Sequence, residues 1–206
     1  MGLTLSACGG DEEPSSASSP SESEASAPKD ESSAPEDKAS EDGAAEAGNV
    51  KTTAPGTKLK VGETATVPFK VGDKKGTISI TVTAIDKGTS ADLKAGGANN
   101  ADKIDAYYVK SKIENAGGTD LSFSSVSGLR VFAANGGPTG AVLSGEIPGK
   151  CESESAPDDF ASKGASYESC DLSGAAKGNA IGGVEYEGST GLEPNPYEDK
   201  AITWVK

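Results

Sequence analysis

Three cysteines and no histidine limit the chemistry open to this chain. Without an imidazole, Ser-His-Asp and Cys-His catalysis are excluded, as are the usual His-bearing zinc and copper sites. Met1, the single methionine, leaves no set of thioethers for copper. Neither a Gly-x-Gly-x-x-Gly nor a Walker A phosphate loop occurs. Cys151 and Cys170 lie close together in the part of the chain with strand-like patterning, whereas Cys8 stands alone near the amino terminus. In an odd set one cysteine usually has a separate fate, so the Cys151 and Cys170 pair reads as a disulfide, with two buried thiols as the alternative. Closing a loop of about 20 residues restricts the unfolded chain by roughly 3 kcal/mol and implies an oxidising compartment.

The carboxylates offer less. Glu152, Glu154, Asp158 and Asp159 cluster between the two cysteines, and oxygen ligands suit calcium, but their spacing fits no EF-hand and a solvated acidic loop is the favoured reading. Glu185 and Glu187 are the candidate acid–base pair of a glycan-acting enzyme, a role that requires about 5–9.5 Å across a cleft. At i and i+2 of a strand they share one face instead. Ser26-Ala27-Pro28-Lys29 has the Ser-x-x-Lys spacing of penicillin-binding enzymes, but it lies in a low-complexity tail where nothing would form a pocket. No catalytic residue, metal or cofactor is expected.

Leu5-Ser6-Ala7-Cys8, followed at once by glycine and then by acidic, Ser-rich sequence, resembles the lipobox of bacterial lipoproteins. The resemblance implies a diacylglyceryl group on the Cys8 sulfur, cleavage just before Cys8, and anchoring on the extracytoplasmic face of the cell membrane. Only Leu3 and Leu5 supply apolar character ahead of Cys8, with no Lys or Arg, so export requires a signal peptide that starts further upstream. At about 0.8 kcal/mol per buried methylene, one acyl chain binds marginally, whereas two or three anchor stably.

Residues 11–48 hold twelve acidic and two basic residues, which is ten of the thirteen net negative charges, and no Ile, Leu, Val, Phe, Tyr, Trp or Met. Such a segment cannot offset a backbone ordering cost of roughly 1–2 kcal/mol per residue. The chain therefore divides into a signal-peptide and lipobox remnant (1–8), a disordered acidic Ser/Ala/Pro linker (9–56) and a folded domain (57–206). As a flexible coil the linker spans on the order of 35 Å. Beyond it, acidic and basic residues nearly balance without a basic stripe, which argues against nucleic acid as a partner.

Past Gly56, period-two alternation sets in. Ile78, Ile80, Val82 and Ala84 share one face of a strand; Tyr107, Val109, Ser111 and Ile113 share a face of another. One of Tyr107 and Tyr108 must then face the core. Further strands are expected at Thr64–Val71, Leu121–Phe123, Gly128–Ala133, Gly182–Tyr186 and Ala201–Lys206, with Ile202 and Trp204 inward, and one helical turn at Asp158–Ser162. Gly and Pro clusters separate them. The segments Gly62–Val67, Ile80–Ile85, Tyr107–Asn115 and Gly182–Glu187 together resemble the Ig-like domains of secreted Gram-positive, especially actinobacterial, lipoproteins of unknown function. The resemblance implies an all-β, Ig-like antiparallel β-sandwich at the cell envelope, and it supplies no catalytic residues. The expected activity is binding of an envelope protein, a peptide or a cell-wall polymer; the alternative is a carboxylate-based enzyme or enzyme accessory acting on cell-wall glycans.

Overall fold

A computed structural model describes residues 50–188 and 190–206. Cys8, Ser26, Lys29 and almost all of the linker lie outside the described residues. The fold is an all-β sandwich. Its strands are β1 (Lys58–Lys60), β2 (Thr64–Val71), β3 (Lys74–Lys87), β4 (Ile104–Asn115), β5 (Leu129–Ala133), β6 (Ser166–Ala176), β7 (Ile181–Tyr186) and β8 (Ile202–Val205), with one short helix, α1 (Ser90–Ala95), between β3 and β4. They form two four-stranded sheets, β1-β8-β7-β5 and β2-β3-β4-β6. All pairs are antiparallel except β1 with β8.

Alternation places one face of each sheet in the shared core. Ala65 sits opposite Ile80, and Ile80 opposite Ile113, while Val184 sits opposite Trp204 in the other sheet, and all are buried. Each such aliphatic side chain removed from water stabilises the fold by about 1.5–3 kcal/mol. Trp204 is fully enclosed, and its indole Nε1–H donates to the Glu63 carbonyl at 2.8 Å. The alternation of β3 breaks at a bulge between Val82 and Ala84. The extra residue, Thr83, shifts the pleat, so Ile85 rather than Ala84 enters the core.

Ala106, Tyr107, Tyr108 and Val109 are buried in succession, because β4 is covered on both faces. Tyr107 and Val109 belong to the sandwich core, while Ala106 and Tyr108 face a second, smaller core with Leu93, Ala101, Ile147, Cys151 and Cys170. Helix α1 supplies Leu93. Thr89 caps it, its hydroxyl accepting from Asp92 N–H while the Asp92 carboxylate accepts from Thr89 N–H. Tyr108 Oη–H then donates to the same carboxylate at 3.0 Å, which locks helix to sheet.

Four expectations are corrected or extended. Leu121–Phe123 is a turn, because the Asp120 carboxylate accepts from Ser122 N–H and Phe123 takes a positive φ, both incompatible with an extended strand. Strand β6 escaped the pattern because its inward side chains are Tyr167, Ser169, Asp171, Ser173 and Ala175, a largely polar series. Helix α1 is too short to show periodicity, although Thr89-x-x-Asp92 is a legible capping box. The packed chain also begins before Thr57: Thr53 exchanges hydrogen bonds with Thr66 on β2, and Tyr197 Oη–H donates to the Thr53 carbonyl.

Each of the four outer strands has at least one edge group engaged by the chain itself, which hinders pairing with other chains. Glu63 caps Lys60 of β1, Thr53 covers β2, and the Ser173 hydroxyl accepts from Val131 N–H of β5. The Glu152 and Thr139 carbonyls take N–H groups of β6.

Two carboxylates, the buried Asp105 and the half-buried Asp171, meet opposite environments. Asp105, at the end of β4, accepts from Gly178 N–H and pairs with Lys177 at 2.9 Å and Lys87 at 3.1 Å. The Gly178 N–H and then Lys177 hold its pKa down at about 2. Asp171, opposite Val109 on the inner face of β6, has only burial acting on it, and its pKa is pushed up to about 7. A carboxyl whose folded pKa is raised contributes stability below its unfolded pKa and loses it as pH rises through the folded value. Asp171→Asn is therefore expected to leave the melting temperature nearly unchanged at pH 4 and to raise it progressively up to pH 8, in melts followed by circular dichroism.

Candidate functional site

The outer face of the second sheet carries a groove with a volume of about 440 Å³, lined by Thr83, Lys110, Glu168, Cys170 and the loop residues Gly149, Lys150, Glu152 and Glu154. Its floor follows from strand register. Lys110 sits opposite Cys170 and Lys112 opposite Glu168, so β4 and β6 present alternating charged side chains to solvent. The Thr83 bulge lies alongside on β3.

Loop 147–154 forms the opposing wall, and several contacts fix it. Ile147 and Cys151 exchange backbone hydrogen bonds, both at 2.9 Å, around the Pro148-Gly149 turn. Cys151 and Cys170 form the disulfide expected from their positions, with a Cα separation of 5.1 Å. Cys170 N–H donates to the Glu152 carbonyl at 3.1 Å, Gly149 N–H to the Glu152 carboxylate at 3.1 Å, and Glu154 N–H to the Ser169 hydroxyl at 3.1 Å. The wall is thus stapled to the floor before any ligand arrives. Both cysteines are buried in the smaller core, so the bond acts as a structural clamp.

Both charge signs line the groove, unequally balanced. Lys110 pairs with Asp86 at 2.9 Å and Lys150 with Asp92 at 3.6 Å, so each ammonium already has a carboxylate. Glu152 is engaged by Gly149 N–H. The carboxylates of Glu154 and Glu168 have no ion-pair partner within 4 Å among the described residues. The surface is exposed and screened by salt, so these charges orient and select more than they bind.

The acidic cluster is divided by the fold. Glu152 and Glu154 border the groove, whereas Asp158 and Asp159 start the 3-10 turn that carries Phe160 into the sandwich core. Among the described residues no three acidic or sulfur side chains converge as a metal site would require. Glu185 and Glu187 do share a face, and both clamp one cation: Arg130, directly opposite Glu185 on β5, meets Glu185 at 3.0 Å and also pairs with Glu187. The two glutamates hold the guanidinium pKa up. Tyr107, Tyr108 and Trp204 are packing residues.

Lys110, Lys150 and Glu168 were not legible as site residues. Lys110 was visible as an outward position on β4, but Glu168 lies on the strand that lacks apolar alternation, and Lys150 reaches the groove through a loop fixed by the disulfide and by hydrogen bonds to β6.

Comparisons with protein families, with curated proteins and with solved structures give no match to this chain.

Replacing both cysteines by serine is expected to cost roughly 2–4 kcal/mol of stability. The same variant should speed amide hydrogen exchange at Lys150–Glu154 far more than along β2 and β3, which mass-spectrometric exchange would resolve.

Proposed function

We propose that the protein is an extracytoplasmic lipoprotein, held to the membrane through an acylated Cys8, whose sandwich is a non-catalytic binding module with the stapled groove as its recognition surface. The observation that carries the binding role is the preformed wall of the groove. A loop fixed by a disulfide and by hydrogen bonds at Glu152 and Glu154 loses little entropy when a ligand docks, so weak polar contacts translate into affinity. Unpaired glutamates beside paired lysines suit a polar, charged ligand, which fits an envelope peptide, an envelope protein segment or a cell-wall polymer.

Three features support the address. The lipobox-like Leu5-Ser6-Ala7-Cys8 precedes an acidic low-complexity linker, and the Cys151–Cys170 bond suits an oxidising compartment. Among the described residues no helix is long and apolar enough to cross a membrane. The glycan-hydrolase alternative gains no support from Glu185 and Glu187, whose carboxylates are engaged by Arg130 on a strand face.

Intact mass of the protein isolated from the organism that encodes it tests the address. The expected chain begins at Cys8, carries diacylglyceryl and fatty-acyl additions, gains two daltons on reduction, and remains unacylated in the Cys8→Ala variant. An unprocessed chain with three free thiols would refute the proposal. The groove is tested separately: Glu154→Lys with Glu168→Lys should abolish sedimentation of the full chain with purified cell-wall sacculi or its cross-linking to an envelope peptide, without lowering the melting temperature.

A further inference from the structure

Strand β6 pairs with β4 on one side only, and part of its other side has no partner. In an antiparallel pair, alternate residues turn their backbone groups toward the neighbouring strand and the rest turn theirs away. The phase is fixed by two clasps outside the sheet: Cys170 N–H donates to the Glu152 carbonyl at 3.1 Å, and Ala176 N–H to the Thr139 carbonyl at 2.9 Å. Cys170, Leu172, Gly174 and Ala176 therefore face away from β4. Between the clasps, the Cys170 carbonyl and both backbone groups of Leu172 and of Gly174 have no hydrogen-bond partner among the described residues. The edge is tied at its two ends and open in the middle.

Residues 139–152, the segment between the clasps, bow away from the strand to which they are tied. A cavity of about 260 Å³ lies in the gap, lined by Ser144, Glu146 and Ser153 on one side and by Cys170, Asp171 and Leu172 of β6 on the other. Successive side chains of a strand point to opposite faces. Cys170 and Leu172 point to the smaller core and Asp171 to the sandwich interior, so a cavity that touches all three meets β6 at its edge. A second cavity, of about 250 Å³, shares Leu143, Glu146 and Leu172 with a run of neighbouring loop residues and extends over the outer face to Leu93, Ala98 and Ile147. Open backbone groups and an apolar recess thus lie side by side.

A row of N–H and C=O groups at strand spacing is complemented by another extended backbone. The bow leaves room for one strand and would collide with the edge of a second copy, whose own β6 is flanked by the same bow. The acidic linker does not suit the site either: residues 11–48 hold no Ile, Leu, Val, Phe, Tyr, Trp or Met for the apolar recess, and their charge repels Glu146 and Asp171. Register sets the side chains that fit. A residue directly opposite Leu172 shares its face and enters the recess lined by Leu93, Leu143 and Ile147, while its two neighbours fall on the face of Asp171. Asp171 has no ion-pair partner among the described residues, and Glu146 borders the gap, so those neighbours are best cationic. We propose that the open edge of β6 between Cys170 and Gly174 is a strand-addition site for an extended segment of another protein, with an apolar side chain opposite Leu172 flanked by Lys or Arg.

Ser153 borders this cavity whereas Glu152 and Glu154 border the groove, so the edge site is separate from the groove and does not rest on it. The test uses the full 206-residue chain and fluorescein-labelled heptapeptides of sequence Ser-Thr-Lys-Val-Lys-Thr-Ser, with the central Val also varied to Leu, Ile, Phe, Ala and Asp, followed by fluorescence anisotropy. Peptides with a large apolar centre are expected to bind. An Asp centre, or Glu in place of both Lys, should weaken binding at least about tenfold, and so should N-methylation at alternate peptide nitrogens but not at those between, since each loss removes a backbone hydrogen bond. Ser144→Trp, an exposed position that fills the gap, should abolish binding without lowering the melting temperature. In amide exchange followed by NMR, Leu172 and Gly174 should exchange faster than Asp171 and Ser173 in the free protein and slow on addition of the Val-centred peptide. No binding by any apolar-centred peptide, or N-methyl effects without alternation, would overturn the site. Leu172 and Gly174 amides as slow as Asp171 in the free protein would show the edge to be closed, and a dimer that protects them would replace the peptide by a second copy; either result overturns the proposal.

Discussion

The first half of β4 is buried on both faces, and much of the molecule is arranged around meeting that demand. Ala106, Tyr107, Tyr108 and Val109 cannot all be covered by a second sheet, since alternate side chains point away from it. The outward pair must be covered by something that is neither strand nor solvent. Helix α1 and the loop carrying Ile147 and Cys151 do this, and the Cys151–Cys170 bond ties that cover to the adjacent strand. The groove is the margin of this third layer. Where the cover stops, Lys110 and Glu168 emerge on the sheet and loop 149–154 stands over them.

Charge placement follows the same division between demands of the fold and surfaces left free. Arg130 unites Glu185 and Glu187 across a strand pair, and Asp105 gathers two lysines and a backbone N–H at a sheet end. Those groups serve the architecture. Asp171 is the exception, an inward carboxyl that burial disfavours in its ionised form, next to the half-cystine Cys170. Its cost is tolerable because β6 is an edge strand, where the interior grades toward solvent.

The loop between the cysteines does more than close a ring. It leaves the smaller core at Cys151, passes along the edge of β6 through the Glu152 carbonyl, and enters the sandwich core at Ala156 and Phe160. One segment therefore walls the groove, blunts a strand edge and, through the Ala156 carbonyl, supports the turn that displays Phe123. Groove and turn are two exposed products of a single capping segment.

Alternation in Thr77–Ala84 and Tyr107–Glu114, a terminal strand with inward Ile202 and Trp204, and two cysteines close in sequence were enough to specify a sandwich and its disulfide, because burial of one sheet face is written directly in period two. Strand β6 was hidden because its inward face is polar and its pairing is secured by β4 and the capping loop. The Thr83 bulge, the double burial of β4, the gathering of Lys110, Lys150 and Glu168, and the exposed strain at Phe123 were decided only in three dimensions. Each depends on register or on contacts between segments far apart in sequence, and local periodicity carries no information about which distant segment will cover a given face.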